Sequence, residues 1–156
     1  MENLTDYDQQ TTEMLSEIGQ VFERYNRHVR SEQFMSPEEI QSMSREVTAH
    51  VCLLNVRLGQ YSSGKMYSHH HKKTLIRKEK NRLYSIKQES KLTESMIATM
   101  SESTHEYILA EEDNLNQTDF TTRLELIIKA ANTLWESLKS ETIQANIERK
   151  QSQLDV

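Results

Sequence analysis

Apolar residues recur at intervals of three and four along most of this chain, and this periodicity constrains the fold more than any other feature. The steps run 4, 3, 4, 3 and 4 over residues 120–138, and 3, 4, 4, 3, 4 and 3 over residues 40–61. Such spacing places apolar side chains on one face of an α-helix. The two seams consist of Phe120, Leu124, Ile127, Ala131, Leu134 and Leu138, and of Ile40, Met43, Val47, Val51, Leu54, Leu58 and Tyr61.

The composition favours an all-α fold. Three Gly and one Pro are too few for the turns of an all-β protein, and a hydrophobic content of 35% is low for a single compact core. Long amphipathic helices that bury one stripe each fit these numbers better. We therefore expect a helical hairpin or bundle that assembles through coiled-coil-like seams into a homo-oligomer, with the 120–138 seam forming the subunit contact.

The chain is interpreted as one helical domain, residues 1–156, in three parts. An N-terminal helix is expected within 1–32, central helices within 37–104 with a basic segment at 57–87, and a C-terminal oligomerisation helix at 118–150. Ser36 is the expected N-cap of the central part, and Pro37 its first helical residue. The sequence predicts a break at 59–64, where Gly and Ser concentrate, then a loop or frayed turn at 66–74. It also predicts a turn at 111–119, where Asn and Asp concentrate.

Positive charge is concentrated in the middle third of this acidic chain. Residues 1–50 carry four Arg against ten acidic residues, residues 51–100 carry ten Lys and Arg against three, and residues 101–156 carry five against eleven. The net charges are −6, +7 and −6, whereas the whole chain has −5. This segregation predicts a basic surface that meets a polyanion or an acidic protein.

The basic segment also contains tyrosines, and this combination suits single-stranded nucleic acid. Lys and Arg neutralise phosphates, and exposed aromatic rings stack unpaired bases. A solvated helix face, or a surface for an acidic protein partner, explains the charge equally simply. The predicted contacts are Arg57, Lys65, Lys72, Lys73, Arg77, Lys78, Lys80, Arg82 and Lys87, with Tyr61, Tyr67 and Tyr84.

No catalytic constellation is found, so we expect neither an enzyme nor a cofactor. His69, His70 and His71 are consecutive and point apart on a helix, which disfavours a metal site and favours an auxiliary cationic role. Cys52 is expected to be a buried or half-buried apolar residue. The start of the chain lacks the pattern of a signal peptide, and no apolar run is long enough for a membrane span. A cytoplasmic location is expected, in the host cytoplasm if the protein is viral.

The segment "RLGQYSSGK", residues 57–65, resembles a motif of the UvsY-type recombination mediators of tailed phages. The segment "LELIIKAANTLWESLKSETIQANIERKQ" is similar to the C-terminal helix of that family. This chain departs from the family pattern at Asn55, where a Lys is usual, and in having a second Ser before Gly64. The resemblance implies a non-enzymatic, ring-like homo-oligomer that binds single-stranded DNA and helps a recombinase to replace single-strand-binding protein. It also implies that Arg57 and Lys65 contact phosphate.

Overall fold

The computed structural model describes residues 9–31 and 35–154, and these residues form five α-helices and no strand. The helices are α1 (Gln9–Ser31), α2 (Pro37–Ser85), α3 (Lys87–Ser90), α4 (Glu94–Glu102) and α5 (His105–Leu154). The expected all-α class is therefore confirmed. No helix in the described ranges is long and apolar enough to cross a membrane. The part of the expected N-terminal helix that falls on residues 1–8 lies outside the described residues.

The start of α2 follows directly from the sequence. The backbone N–H of Glu39 donates to Ser36 Oγ at 3.2 Å, and the Ser36 N–H donates to Glu39 Oε2 at 2.9 Å. This reciprocal pair is a capping box, and Pro37 occupies the first helical position. Hydrogen bonds from Ser36 to the Glu39 carboxylate lower the pKa of Glu39, the backbone N–H of Ser36 being the largest cause. The predicted boundary at Ser36 and Pro37 is confirmed.

The described residues divide into two compact units, and α2 and α5 each contribute to both. One unit comprises α1, residues 37–58 and residues 123–154. Its core combines side chains from all three helical segments, so the periodicity of residues 40–58 and 124–138 is explained by packing within the chain. The buried apolar residues are Ile18, Val21, Ile40, Met43, Val47, Leu54, Leu124, Ile128, Ala131, Leu134 and Leu138.

The other unit comprises residues 59–122, and its core is small and partly polar. Tyr61 and Phe120 meet with ring centroids 6.1 Å apart, and Leu83, Ile97 and Ala110 are also buried. Ser68, Ser101, Gln117 and Thr121 are the buried polar residues of this unit. Segments of α2, α4 and α5 therefore pack through few apolar contacts.

The predicted break at 59–64 and loop at 66–74 are wrong, because α2 continues without interruption to Ser85. Gly64 has no positive φ and faces Gln117 on α5. Ser63 Oγ donates to the Gly59 carbonyl at 3.0 Å, as a helical serine can. Packing of Tyr61 and Gly64 against α5 thus outweighs the low helix propensity of "YSSG".

The predicted turn at 111–119, and with it the predicted start of the last helix at residue 118, is also wrong. These residues lie inside α5, which begins at His105. Thr118 Oγ1 donates to the Asn114 carbonyl at 2.8 Å, and Asn114 Nδ2 donates to the Lys65 carbonyl at 3.5 Å. The polar side chains that suggested a turn therefore bond within α5 or across to α2.

The chain turns at residues 86–93 instead, within the stretch 37–104 where the central helices were expected. Lys91 ends α3 in the left-handed conformation with φ 52°. Thr93 then caps α4 by accepting a hydrogen bond from the Met96 N–H at 3.2 Å. At the start of α5, Thr104 Oγ1 accepts from the Tyr107 N–H at 3.3 Å.

Candidate nucleic-acid interface

The uninterrupted helix arranges three of the cations of residues 66–84 in a regular row. Lys73, Arg77, Lys80 and Tyr84 follow one another at steps of 4, 3 and 4, so their side chains share one face of α2. Lys73, Arg77 and Tyr84 are exposed, and Lys80 is half-buried. Within the described residues, none of the three cations forms an ion pair. We call these four residues the basic row.

A second set of polar and aromatic side chains lies on the same helix, about a third of a turn around from the basic row. Tyr67 and His71 have nearly parallel rings, with an interplanar angle of 1° and centroids 6.4 Å apart. Lys78 is exposed, and the structure gives it no ion-pair partner in the described part of the chain. Tyr67 is 64% exposed, so its ring is accessible for stacking.

Lys72 faces α5 rather than solvent, and the backbone carbonyl of Lys65 also contacts α5. Lys72 Nζ lies 2.5 Å from Glu111 Oε2, and the Lys72 side chain is only 18% exposed. The hydrogen bond raises the pKa of Lys72 and lowers that of Glu111. Lys65 is half-buried. These two predicted contacts therefore belong to the packed side of α2.

Arg82 already has a carboxylate partner one turn away on its own helix. Its Nε atom lies 3.0 and 2.9 Å from the two carboxylate oxygens of Glu79. This pairing lowers the pKa of Glu79 and raises that of Arg82. The Arg82 side chain is 60% exposed, so a phosphate can approach it while it remains paired with Glu79.

Tyr84 and Lys87 both contact Glu94, the first residue of α4. The Tyr84 hydroxyl and the Lys87 ammonium each donate to one oxygen of the Glu94 carboxylate. Lys87 Nζ also lies 5.5 Å from the centroid of the Tyr84 ring. The Lys87 hydrogen bond is the largest cause that lowers the pKa of Glu94.

Two of the predicted contacts are placed differently from what a nucleic-acid interface needs. Tyr61 is only 4% exposed and packs against Phe120, so the exposure expected for base stacking is absent at this position. Its place in the 40–61 seam was the signal that it belongs to the core. Arg57 is half-buried and donates to Gln10 on α1, in the unit that does not contain the basic row.

The residues expected to form the subunit contact are largely used inside the chain. Ile127 is half-buried and the other five are at most 9% exposed. These five side chains are therefore used for packing within the chain. The five buried residues are Phe120, Leu124, Ala131, Leu134 and Leu138.

The histidine triplet and the cysteine complete the set of candidate residues. His69, His70 and His71 are exposed on consecutive positions of α2. Among the described residues, no group of three or more His, Cys, Asp or Glu side chains could hold a metal ion. Cys52 is exposed, and the expectation that it is buried or half-buried is wrong. It sits two residues before the fully buried Leu54, on the outward side of the seam.

The carboxylates that pair with the cations were missed by sequence reasoning. Glu111, the partner of Lys72, was expected in a turn. Glu94 comes seven positions after Lys87, and in the expected continuous helix these two side chains would share a face but lie too far apart to pair. Only Glu79, three residues before Arg82 in a helix, carried a usable signal.

Comparison of the chain with profiles of protein families, with curated proteins and with solved structures gives no match. The proposed function therefore rests on the side chains described above and on the resemblance of residues 57–65 and 124–151 to UvsY-type proteins.

Proposed function

We propose that the exposed face of α2 binds single-stranded nucleic acid through its phosphates and unpaired bases. The observation that carries the proposal is the basic row, in which Lys73, Arg77 and Lys80 stand on one helix face without ion-pair partners among the described residues and end at Tyr84. A helix face of unpaired cations attracts a polyanion, because each phosphate contact releases condensed counterions.

Tyr67 and Tyr84 make a single strand a better ligand than a duplex. Both rings are exposed, at 64% and 46% of their surface, and they lie at the two ends of the cationic stretch. Stacking requires a base that is not already paired, and it tolerates any base because every base has an aromatic face. The proposed binding is therefore strand-selective and largely independent of sequence.

We further propose that the protein is a recombination mediator of phage DNA, and that it also acts in the replication and repair of that DNA. This part rests on the resemblance of residues 57–65 and 124–151 to UvsY-type proteins. In this role the protein assembles as a homo-oligomer and helps a recombinase to displace single-strand-binding protein. Repeating one modest site around an oligomer strengthens binding through multivalency.

Fluorescence anisotropy tests the binding proposal with a labelled oligothymidylate and a duplex of equal length, over a series of salt concentrations. The single strand is expected to bind more tightly than the duplex. The logarithm of its affinity is expected to fall linearly with that of the salt concentration, by about 0.7 per phosphate neutralised. Binding that is insensitive to salt, or a preference for the duplex, contradicts the proposal.

A second candidate is a helical phage scaffold or adaptor whose basic helix docks on an acidic protein. The Lys72–Glu111 ion pair favours this second candidate. It shows that a lysine of α2 can pair with a carboxylate on another helix, as docking on an acidic protein would require. A competition experiment separates the candidates. If an acidic partner captured through residues 65–87 is not displaced by oligothymidylate, the adaptor function is correct.

A further inference from the structure

The corner between α2 and α4 brings an exposed aromatic ring, an ammonium group and a carboxylate together. Tyr84 lies in the last turn of α2, Lys87 begins α3, and Glu94 begins α4. Glu94 accepts one hydrogen bond from the Tyr84 hydroxyl and another from the Lys87 ammonium. The ammonium also lies 5.5 Å from the centroid of the Tyr84 ring.

The arrangement has the chemistry of a bound anion beside a stacking surface. The Glu94 carboxylate is an oxygen anion held by one cation and one hydroxyl, and a phosphate oxygen can accept the same two hydrogen bonds. The Tyr84 ring next to it is 46% exposed, so an unpaired base can reach its face.

We propose that this corner is a subsite for one unpaired nucleotide, and that Glu94 holds the phosphate position until a strand displaces it. Tyr84 stacks the base, and Lys87 exchanges the carboxylate for the phosphate. Glu94 thus lowers the affinity of the free protein for the strand. The inference rests on the proposed function, since it names one contact of the same strand.

Glu94 is better placed to be displaced than the other carboxylates that pair with predicted contacts. Its side chain is 65% exposed, compared with 36% for Glu111 and 21% for Glu79. Glu111 joins α2 to α5, so removing it from Lys72 loosens a packed contact, and Glu79 makes a two-oxygen contact with Arg82. An exposed ion pair with solvent-accessible partners is the weakest of the three.

The test compares Glu94→Gln with Glu89→Gln in the full chain, by anisotropy with labelled oligothymidylate. Both variants remove one negative charge near the same corner. Glu89 is exposed on α3 and, within the described residues, makes no hydrogen bond or ion pair. Circular dichroism of both variants checks that their helical content is unchanged.

Glu94→Gln is expected to bind about two- to fivefold more tightly than the wild type, the range expected for loss of a competing exposed ion pair. The slope of its salt dependence is expected to stay close to that of the wild type, because the strand makes the same phosphate contact with Lys87 once Glu94 is displaced. Glu89→Gln is expected to change affinity by less than about 1.5-fold, because its charge lies outside direct contact and is screened. Equal affinities of the two variants overturn the inference alone, whereas absence of wild-type binding overturns the proposed function as well.

Two substitutions at Tyr84 test the stacking half of the subsite. Tyr84→Phe keeps the ring and removes a hydroxyl that donates to Glu94 in the free protein and to the phosphate in the complex, so the affinity is expected to stay close to that of the wild type. Tyr84→Leu keeps an apolar side chain without an aromatic face, and is expected to weaken binding by at least about fivefold. Equal affinities of the Phe and Leu variants overturn the assignment of Tyr84 as the stacking residue.

Discussion

Gly64 on α2 faces Gln117 on α5 so closely that a Cβ atom on residue 64 would lie 3.1 Å from the Gln117 side-chain oxygen. Gln117 is buried, and that oxygen accepts no hydrogen bond from the described residues. The glycine therefore serves the approach of two helices, although it lies within a continuous helix where glycine is costly.

Replacing the two glycines of this region of α2 with alanine is expected to have unequal effects. A Cβ at Gly59 meets nothing within 4 Å, so Gly59→Ala should raise the free energy of unfolding by about 0.5–1 kcal/mol through helix propensity. Gly64→Ala gains the same propensity but must displace the Gln117 side chain, so its net gain should be smaller or negative. Urea denaturation measures both, and an equal gain at the two positions would show that the close contact has no energetic cost.

Replacing Tyr61 is expected to lower the stability of the protein, whereas replacing Tyr67 is expected to weaken its binding of nucleic acid. Tyr61 is buried against Phe120, so Tyr61→Ala should lower the free energy of unfolding by about 3–5 kcal/mol. Tyr67 is exposed, so Tyr67→Ala should change stability by less than about 0.5 kcal/mol while weakening the binding of oligothymidylate. A stable Tyr61→Ala variant would contradict the packing described for this unit.

Lys91→Gly is expected to stabilise the protein despite removing a charge. Lys91 holds φ 52°, a left-handed conformation that costs a residue with a Cβ roughly 1 kcal/mol and costs glycine almost nothing. The free energy of unfolding should therefore rise by about 0.5–1 kcal/mol, whereas Lys91→Ala, the control for loss of charge, should bring no gain. A gain in both variants would trace the effect to charge rather than to conformation.

The contribution of the Lys72–Glu111 pair to the free energy of unfolding is expected to be lost both at low pH and at high pH. The pKa of Glu111 is lowered by Lys72, so its contribution is complete above the ordinary value of 4.5 and is lost as the pH falls through the folded value. The pKa of Lys72 is raised by Glu111, so its contribution is complete below 10.5 and is lost as the pH rises through the folded value.

Glu111→Gln should accordingly lower the free energy of unfolding by about 0.5 kcal/mol at pH 7, the size of a partly exposed ion pair. The difference from the wild type should vanish in strong acid, where both proteins carry a neutral side chain at position 111. Glu112→Gln removes the neighbouring exposed carboxylate and serves as the matched control. A cost that persists unchanged in acid would assign the effect of Glu111→Gln to something other than the ion pair.

The sequence predicted the helical class and the capping box because both depend on local patterns. The residues of the 40–61 seam and the Ser36–Glu39 box need only their own helix to be recognised. The breaks could not be placed in the same way. Whether "YSSG" bends or stays helical depends on Gln117 and Phe120, more than 50 positions further along the chain, and the left-handed turn falls on Lys91, a residue type with no preference for it.

The sequence predicted which segment is basic, but it did not predict which of its cations share one face of a helix. Charge counting singled out residues 65–87, and a helix through them would have shown that Lys73, Arg77 and Lys80 align. The predicted loop concealed that alignment and hid which cations have carboxylate partners. Lys72 and Lys73 are neighbours in sequence, but Lys72 pairs with Glu111 and Lys73 is exposed. This difference could be predicted only by knowing where Glu111 lies.

The salt dependence of oligothymidylate binding by two triple variants tests the central claim most directly. Lys73→Ala/Arg77→Ala/Lys80→Ala removes the cations of the basic row, and Arg27→Ala/Arg30→Ala/Arg45→Ala removes three exposed cations elsewhere, so the change in net charge is identical. If the basic row binds phosphates, the first variant should bind more weakly, with a salt slope shallower by about 2, and the second should keep the wild-type slope. Equal slopes in the two variants would contradict the account.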